Sequence, residues 1–128
     1  ITRGAAFDVN AACSGFVYAL TVADSLLKTG AGSRALVIGA ETFSRILDWK
    51  DRTTCILFGD GAGALVLEAA ENPGDRGVLY TSVRSEGQYG DLLATSGGVS
   101  STRAAGTVYM SGKEIFRHAV AKMSESVE

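Results

Sequence analysis

Between Ser14 and Thr29 apolar side chains occupy nearly every side of a helix. Phe16, Val17, Tyr18, Ala19, Leu20, Val22, Ala23, Leu26 and Leu27 leave little room for a water-facing stripe. Such a helix belongs in the middle of a protein, where other elements cover it on several sides. Gly30 and Gly32 close it, as glycine does where the residue after a helix takes a left-handed conformation. The next segment, RALVIGAE (Arg34–Glu41), reads as a buried strand rich in branched residues.

The rest of the chain extends this α/β pattern. Residues 5–9 form a short apolar segment, expected as a buried strand, and residues 10–13 turn out of it toward the helix. Residues 42–54 are polar and aromatic, carry Trp49, and read as a surface excursion. Residues 53–58 lead into FGDGAGA and a strand at residues 65–68. The segment NPGD at residues 72–75 holds the only proline and is the strongest turn signal, so a boundary is placed there. It divides the chain into residues 1–71 and 72–128. Residues 78–85 are expected as a further strand, and residues 94–106, rich in Gly, Ser, Thr and Ala, as a flexible loop. Ser111 opens the last helix, with Glu114 placed to complete a capping box. Ile115, Phe116, Ala119, Val120, Met123 and Val127 form its apolar stripe, and His118 falls on the opposite, solvated side.

Composition removes several function classes. The 128 residues carry 12 Lys and Arg against 14 Asp and Glu, a net charge of -2, with no basic block to bind nucleic acid. The apolar runs fall well short of the roughly 20 residues that span a bilayer. A soluble, cytoplasmic protein is expected, with Cys13 and Cys55 reduced rather than bridged. The chain begins without methionine and ends inside an amphipathic pattern, so it reads as a portion of something longer.

The chemistry concentrates at DVNAACSGFV, residues 8–17. Cys13 stands at the start of the apolar helix, where the positive helix end favours an anion and first-turn N–H groups lack helical partners. One of those groups, the Cys13 amide included, is placed to face an oxyanion on an attached acyl group. Ala11, Ala12, Ser14 and Gly15 are small enough to admit a substrate to the backbone. Spacing alone leaves a second reading equally open, in which Cys13 is a small buried hydrophobe, the commonest role of a free cysteine. FGDGAGA looks like a phosphate loop but lacks the Walker lysine and the full dinucleotide pattern. Its glycines read as tight turns and close backbone packing beside the nucleophile. Cys55 reads as an inert buried thiol.

DVNAACSGFVYAL, SRILDWKDRTTCILFGDGAGALVLEA and YMSGKEIFRHAV, in that order, resemble the β-ketoacyl-acyl-carrier-protein synthase III family over essentially the whole chain. The resemblance implies the thiolase fold, a five-layer αβαβα architecture of two similar halves. This chain would supply the end of the first half and the start of the second. It implies Cys13 as the nucleophile that accepts a short acyl group from acyl-coenzyme A and yields it to the carbanion of decarboxylated malonyl-acyl-carrier protein. It also implies a homodimer, no metal and no cofactor, since acyl-CoA is a substrate. Arg52 matches a position that meets the adenine end of coenzyme A, a planar, phosphate-bearing target suited to a guanidinium. Phe58, Leu93 and Phe116 match positions lining the acyl pocket and pantetheine tunnel, and Met110 and Gly112 match tunnel-wall positions. The family completes its site with a histidine and an asparagine whose motifs do not occur in this sequence. Two alternatives remain beside this reading: another thiolase-fold synthase of polyketide or quinolone type, and an inactive structural fragment.

Overall fold

The computed structural model describes residues 4–72 and 74–126. The chain divides into two compact units interleaved in sequence. One takes the chain up to Glu41 together with Gly61–Arg84, and the other takes Thr42–Asp60 and the chain from Ser85 on. Residues 74–84, which follow the NPGD turn, belong to the first unit, and Pro73 itself lies outside the described residues.

The first unit is built on helix α1 (Gly15–Lys28) and an antiparallel pair, β1 (Arg34–Glu41) and β2 (Gly61–Glu68). The end of α1 follows from its sequence. Gly30, at φ 77°, donates to Leu27 O, and the Ala31 amide donates to Leu26 O, which together form a Schellman cap. A side chain at that φ would cost roughly 1–2 kcal/mol. Asp24 and Lys28 pair one turn apart at 2.7 Å in the last turn, where a cation suits the helix end.

Strand register runs from Arg34 opposite Glu68 to Glu41 opposite Gly61, with the Arg34 guanidinium on the Glu68 carboxylate at 2.7 Å. Gly39 permits close packing, because a Cβ there would come within 3.0 Å of the Phe16 ring. Val37 and Ala23 are buried, and α1 packs on β1. The opposite face of the pair, with Leu36 61%, Ile38 58% and Val66 70% exposed, is not covered by any described element.

Four expectations change here. The apolar helix buries only Ala23 and leaves Val17 and Leu26 exposed, because one sheet face is all that covers it. Strand β1 is accordingly buried at Val37 alone rather than throughout. Residues 5–9 and 78–85 adopt no strand, since a strand needs a hydrogen-bonding neighbour and no described segment pairs with either. Tyr18 nevertheless anchors the second of these by donating its hydroxyl to Arg84 O at 3.1 Å. The glycines of FGDGAGA do not form turns: Gly61 and Gly63 lie within β2, opposite Glu41 and Gly39.

The second unit contains the short antiparallel pair β3 (Leu93–Thr95) and β4 (Val108–Met110), helix α2 (Gly112–Glu125), and 3-10 turns at Phe43–Ile46 and Gly87–Leu92. Among its described residues Leu47, Thr54 and Val108 are buried. The loop expected to be flexible is knitted to itself. Ser96 and Thr107 exchange two hydrogen bonds, and Thr102 Oγ1 accepts from the Gly98 amide at 3.1 Å and donates to Ala104 O at 2.9 Å. Gly106, at φ 71°, sits where a Cβ would strike the Gly97 backbone.

Helix α2 begins at Ser111 as expected, but without the capping box: the Ser111 side chain makes no cap hydrogen bond, and its carbonyl accepts from the Glu114 amide. The expected orientation is also corrected. The His118 ring is half-buried against Tyr89, with centroids 4.1 Å apart, and Lys122 one turn later pairs with Glu86 at 3.0 Å. Most of the apolar stripe stays uncovered, with Phe116 and Met123 each 71% exposed, while Ile115 is half-buried. Val127 lies outside the described residues.

Candidate active site

Cys13 sits in a single 3-10 turn, Ala12–Ser14, that runs directly into α1. Asn10 starts the turn, its Oδ1 accepting the Ala12 amide at 3.2 Å. Ala12 is held at φ 46°, in the left-handed region that costs a non-glycine residue on the order of 1–3 kcal/mol. Ser14 then donates its amide to Ala11 O at 3.1 Å, and Gly15 donates to Ala12 O. The Cys13 amide between them has no acceptor among the described residues. The side chain is an exposed free thiol. Within the described residues the Cys13 thiol is not packed as a buried hydrophobe. It places a sulfur and an unengaged N–H donor together at the N-terminal pole of α1, an arrangement suited to nucleophilic attack and oxyanion binding. Asn10 is a residue that sequence reasoning misses, although an Asn three residues before a cysteine at the start of an apolar helix is its signal.

The other six site candidates all belong to the second unit. Leu93 and Met110 stand opposite each other across β3 and β4. Ser111 donates its amide to Leu92 O at 2.8 Å, which joins the start of α2 to this pair. Gly112 follows, a Cβ at that position lying 3.5 Å from the Met110 methyl. Phe116 lies one helical turn beyond Gly112 and is exposed. Phe58 stacks on Phe43 with ring centroids 4.7 Å apart. A clasp adjoins that stack: Asp60 accepts the Ser44 amide at 2.7 Å and its hydroxyl at 2.6 Å. These bonds from Ser44, hydroxyl first, hold the Asp60 carboxyl below its ordinary value of 3.8. Phe43, Ser44 and Asp60 were missed from sequence, because their partnership spans a connection of more than a dozen residues.

Arg52 is exposed, and its guanidinium has no partner among the described residues. It stands between Asp51 and Thr53, whose side chain and amide hydrogen-bond across it. Cys55 is half-buried rather than fully buried, with its thiol 3.9 Å from Trp49 O. His118 is held against Tyr89, as described above. Among the described residues no three His, Cys, Asp or Glu side chains cluster as a metal site, and no helix is long and apolar enough to cross a membrane.

Comparison with known proteins identifies the family and the fold. A profile of the 3-oxoacyl-[acyl-carrier-protein (ACP)] synthase III family matches residues 7–87. A curated relative from Rhodospirillum centenum, beta-ketoacyl-[acyl-carrier-protein] synthase III, is 61% identical over the whole of this chain, which covers 40% of that protein. The solved 3-oxoacyl-(acyl carrier protein) synthase III of Pseudomonas aeruginosa PAO1 superposes with a TM-score of 0.85 at 44% identity, over 94% of this chain and 37% of that one. The corresponding enzyme structure from Aquifex aeolicus VF5 gives 0.81 at 46%, over 93% and 36%. Fold and cysteine turn thus define a thiolase-like α/β chain. The chain belongs to the 3-oxoacyl-[acyl-carrier-protein] synthase III family, and spans about 40% of the length of the curated relatives it matches.

Proposed function

We propose that this chain is the nucleophile-bearing part of an acyltransferase that initiates fatty acid elongation. The observation that carries the proposal is the exposed Cys13 thiol beside its own unengaged amide at the start of α1. In the first half-reaction the Cys13 thiolate adds to the thioester carbonyl of a short acyl-CoA. The oxyanion of the tetrahedral intermediate accepts the Cys13 N–H, and collapse expels coenzyme A as its thiolate. In the second, malonyl-acyl-carrier protein loses carbon dioxide, and the resulting carbanion attacks the acyl carbon. A carbon–carbon bond forms, and Cys13 Sγ leaves with the electron pair of the broken thioester bond. The covalent intermediate divides one difficult condensation into two easier steps.

Arg52 is assigned to the adenine end of coenzyme A, and Phe58, Leu93, Met110, Gly112 and Phe116 to the acyl pocket and pantetheine tunnel, by their match to the family pattern. The pairing of Leu93 with Met110, beside Gly112, supports that grouping. The histidine and asparagine that assist decarboxylation are assigned to segments outside this chain, because its one histidine is engaged with Tyr89. The enzyme is proposed to work in the cytoplasm as a homodimer, with malonyl-acyl-carrier protein as its second substrate and no cofactor. Weighing the intact full-length polypeptide after incubation with acetyl-CoA tests the reading. One added acetyl group, lost in Cys13→Ala, is expected. No adduct favours an inactive polypeptide, and preference for a long or aromatic acyl donor favours a synthase of polyketide or quinolone type.

A further inference from the structure

We infer that Asp51 is the positioning residue that presents Arg52 to the nucleotide end of coenzyme A. The inference rests on the assignment of Arg52 made above and extends it to a residue whose role no sequence motif disclosed. Asp51 organises the turn around Arg52 from both of its carboxylate oxygens. Oδ1 accepts the Thr53 amide at 2.9 Å and the Thr53 hydroxyl at 2.6 Å, and Oδ2 accepts the Thr54 hydroxyl at 2.9 Å. Its carbonyl also accepts the Cys55 amide at 3.0 Å. Thr54 is fully buried, so its hydroxyl needs this acceptor and fixes the turn to the interior of its unit. One turn earlier, Asp48 Oδ1 accepts the Lys50 amide at 2.9 Å, and Asp48 O accepts the Asp51 amide at 3.0 Å.

The consequence for Arg52 is specific. Its backbone is clamped between two residues that hydrogen-bond each other across it, while its guanidinium is exposed and has no acceptor among the described residues. The Asp51 carboxylate oxygens accept from Thr53 and Thr54, and neither is bonded to the Arg52 guanidinium. Asp51 thus orders the backbone on which the cation stands while leaving the guanidinium unpaired. An exposed arginine on a loose loop would have to lose backbone as well as side-chain freedom on binding a phosphate, and pre-ordering removes the backbone part of that cost.

The test compares two acetyl donors in the full-length enzyme: acetyl-CoA, and acetyl-pantetheine, which lacks the adenine nucleotide. Asp51→Ala should raise KM for acetyl-CoA about tenfold, the scale of one charged hydrogen bond. Its KM for acetyl-pantetheine should move by less than about twofold, since that donor never reaches Arg52. In an Arg52→Ala background the Asp51 change should add nothing further, as expected for residues acting through one contact. Asp51→Asn keeps one acceptor and the shape, and should show the same selectivity at smaller size. It carries the test if the alanine variant fails to fold. Equal KM increases for both donors, no increase with either, or additive effects of the two substitutions would overturn the inference and leave the acyltransferase reading standing. A wild-type enzyme acetylated by neither donor would overturn both.

Discussion

The turns at residues 10–13 and 51–55 start alike and end differently. Each opens with an Asx side chain that accepts the amide two residues on, Asn10 to Ala12 at 3.2 Å and Asp51 to Thr53 at 2.9 Å. Each also carries one of the two cysteines. The first turn makes that single side-chain bond, holds Ala12 at a left-handed φ, and leaves the Cys13 amide open beside an exposed thiol. The second adds bonds from the Thr53 and Thr54 hydroxyls to the Asp51 carboxylate, buries Thr54 fully, and leaves Cys55 half-buried with its thiol toward Trp49 O. A turn that leaves donors unpaired keeps them for a ligand, whereas a turn that pairs its donors makes a fixed platform. On the function proposed above, the same local motif serves chemistry at one place and positioning at the other.

Substitutions can break this contrast. The largest effect is expected from Cys13→Ala in the full-length enzyme, which should abolish acyl transfer while shifting stability by less than about 0.5 kcal/mol, because the side chain is exposed. A urea melt run beside the transfer assay checks both halves. Thr54→Val, in contrast, should lower stability by about 1–3 kcal/mol in the same melt by removing the donor to Asp51 Oδ2 at a fully buried position. Asn10→Ala is expected to cost less stability, about 0.5–1.5 kcal/mol, since it removes one longer bond. It should nevertheless slow acylation, because nothing then offsets the strained φ of Ala12. A rate equal to wild type would show that Asn10 does not hold the nucleophile turn.

Acid provides a finer comparison. The hydroxyl and amide of Thr53, followed by the Thr54 hydroxyl, hold the Asp51 carboxyl below its ordinary value of 3.8. A depressed value in the folded state means that the carboxylate's contribution is fully present above 3.8 and is lost as pH falls through the lower folded value. Stability measured against pH should therefore fall less steeply in that acid range for Asp51→Asn than for wild type. Asn10 carries no titrating group, so Asn10→Ala should leave the acid slope unchanged.

Much of this was legible in the sequence, for reasons that can be named. The apolar periodicity of residues 14–29 and the glycine after it gave α1 and its Schellman cap at Gly30, because both are local properties. Branched residues in RALVIGAE gave β1, and the small residues around Cys13 marked the turn that leads into α1. What failed was non-local. Composition predicts strands at residues 5–9 and 78–85, which lack paired neighbours, and β2 takes up Gly61 and Gly63, which the glycine pattern assigns to turns. His118 was assigned to solvent from the helix pattern, yet Tyr89, a distant residue, draws it inward. The fixing of residues 94–106 depends on side-chain bonds, Ser96 Oγ to the Thr107 amide and Thr102 Oγ1 to Gly98 and Ala104, that composition does not encode.

The central claim is that the open turn, and not mere possession of a thiol, selects the acyl acceptor. Peptide mapping of the full-length enzyme after reaction with a limiting amount of acetyl-CoA tests it directly. The account predicts that the acetyl group is found on the peptide containing Cys13, with Cys55 unmodified; acetyl divided equally between the two cysteines, or carried by Cys55 alone, would contradict it.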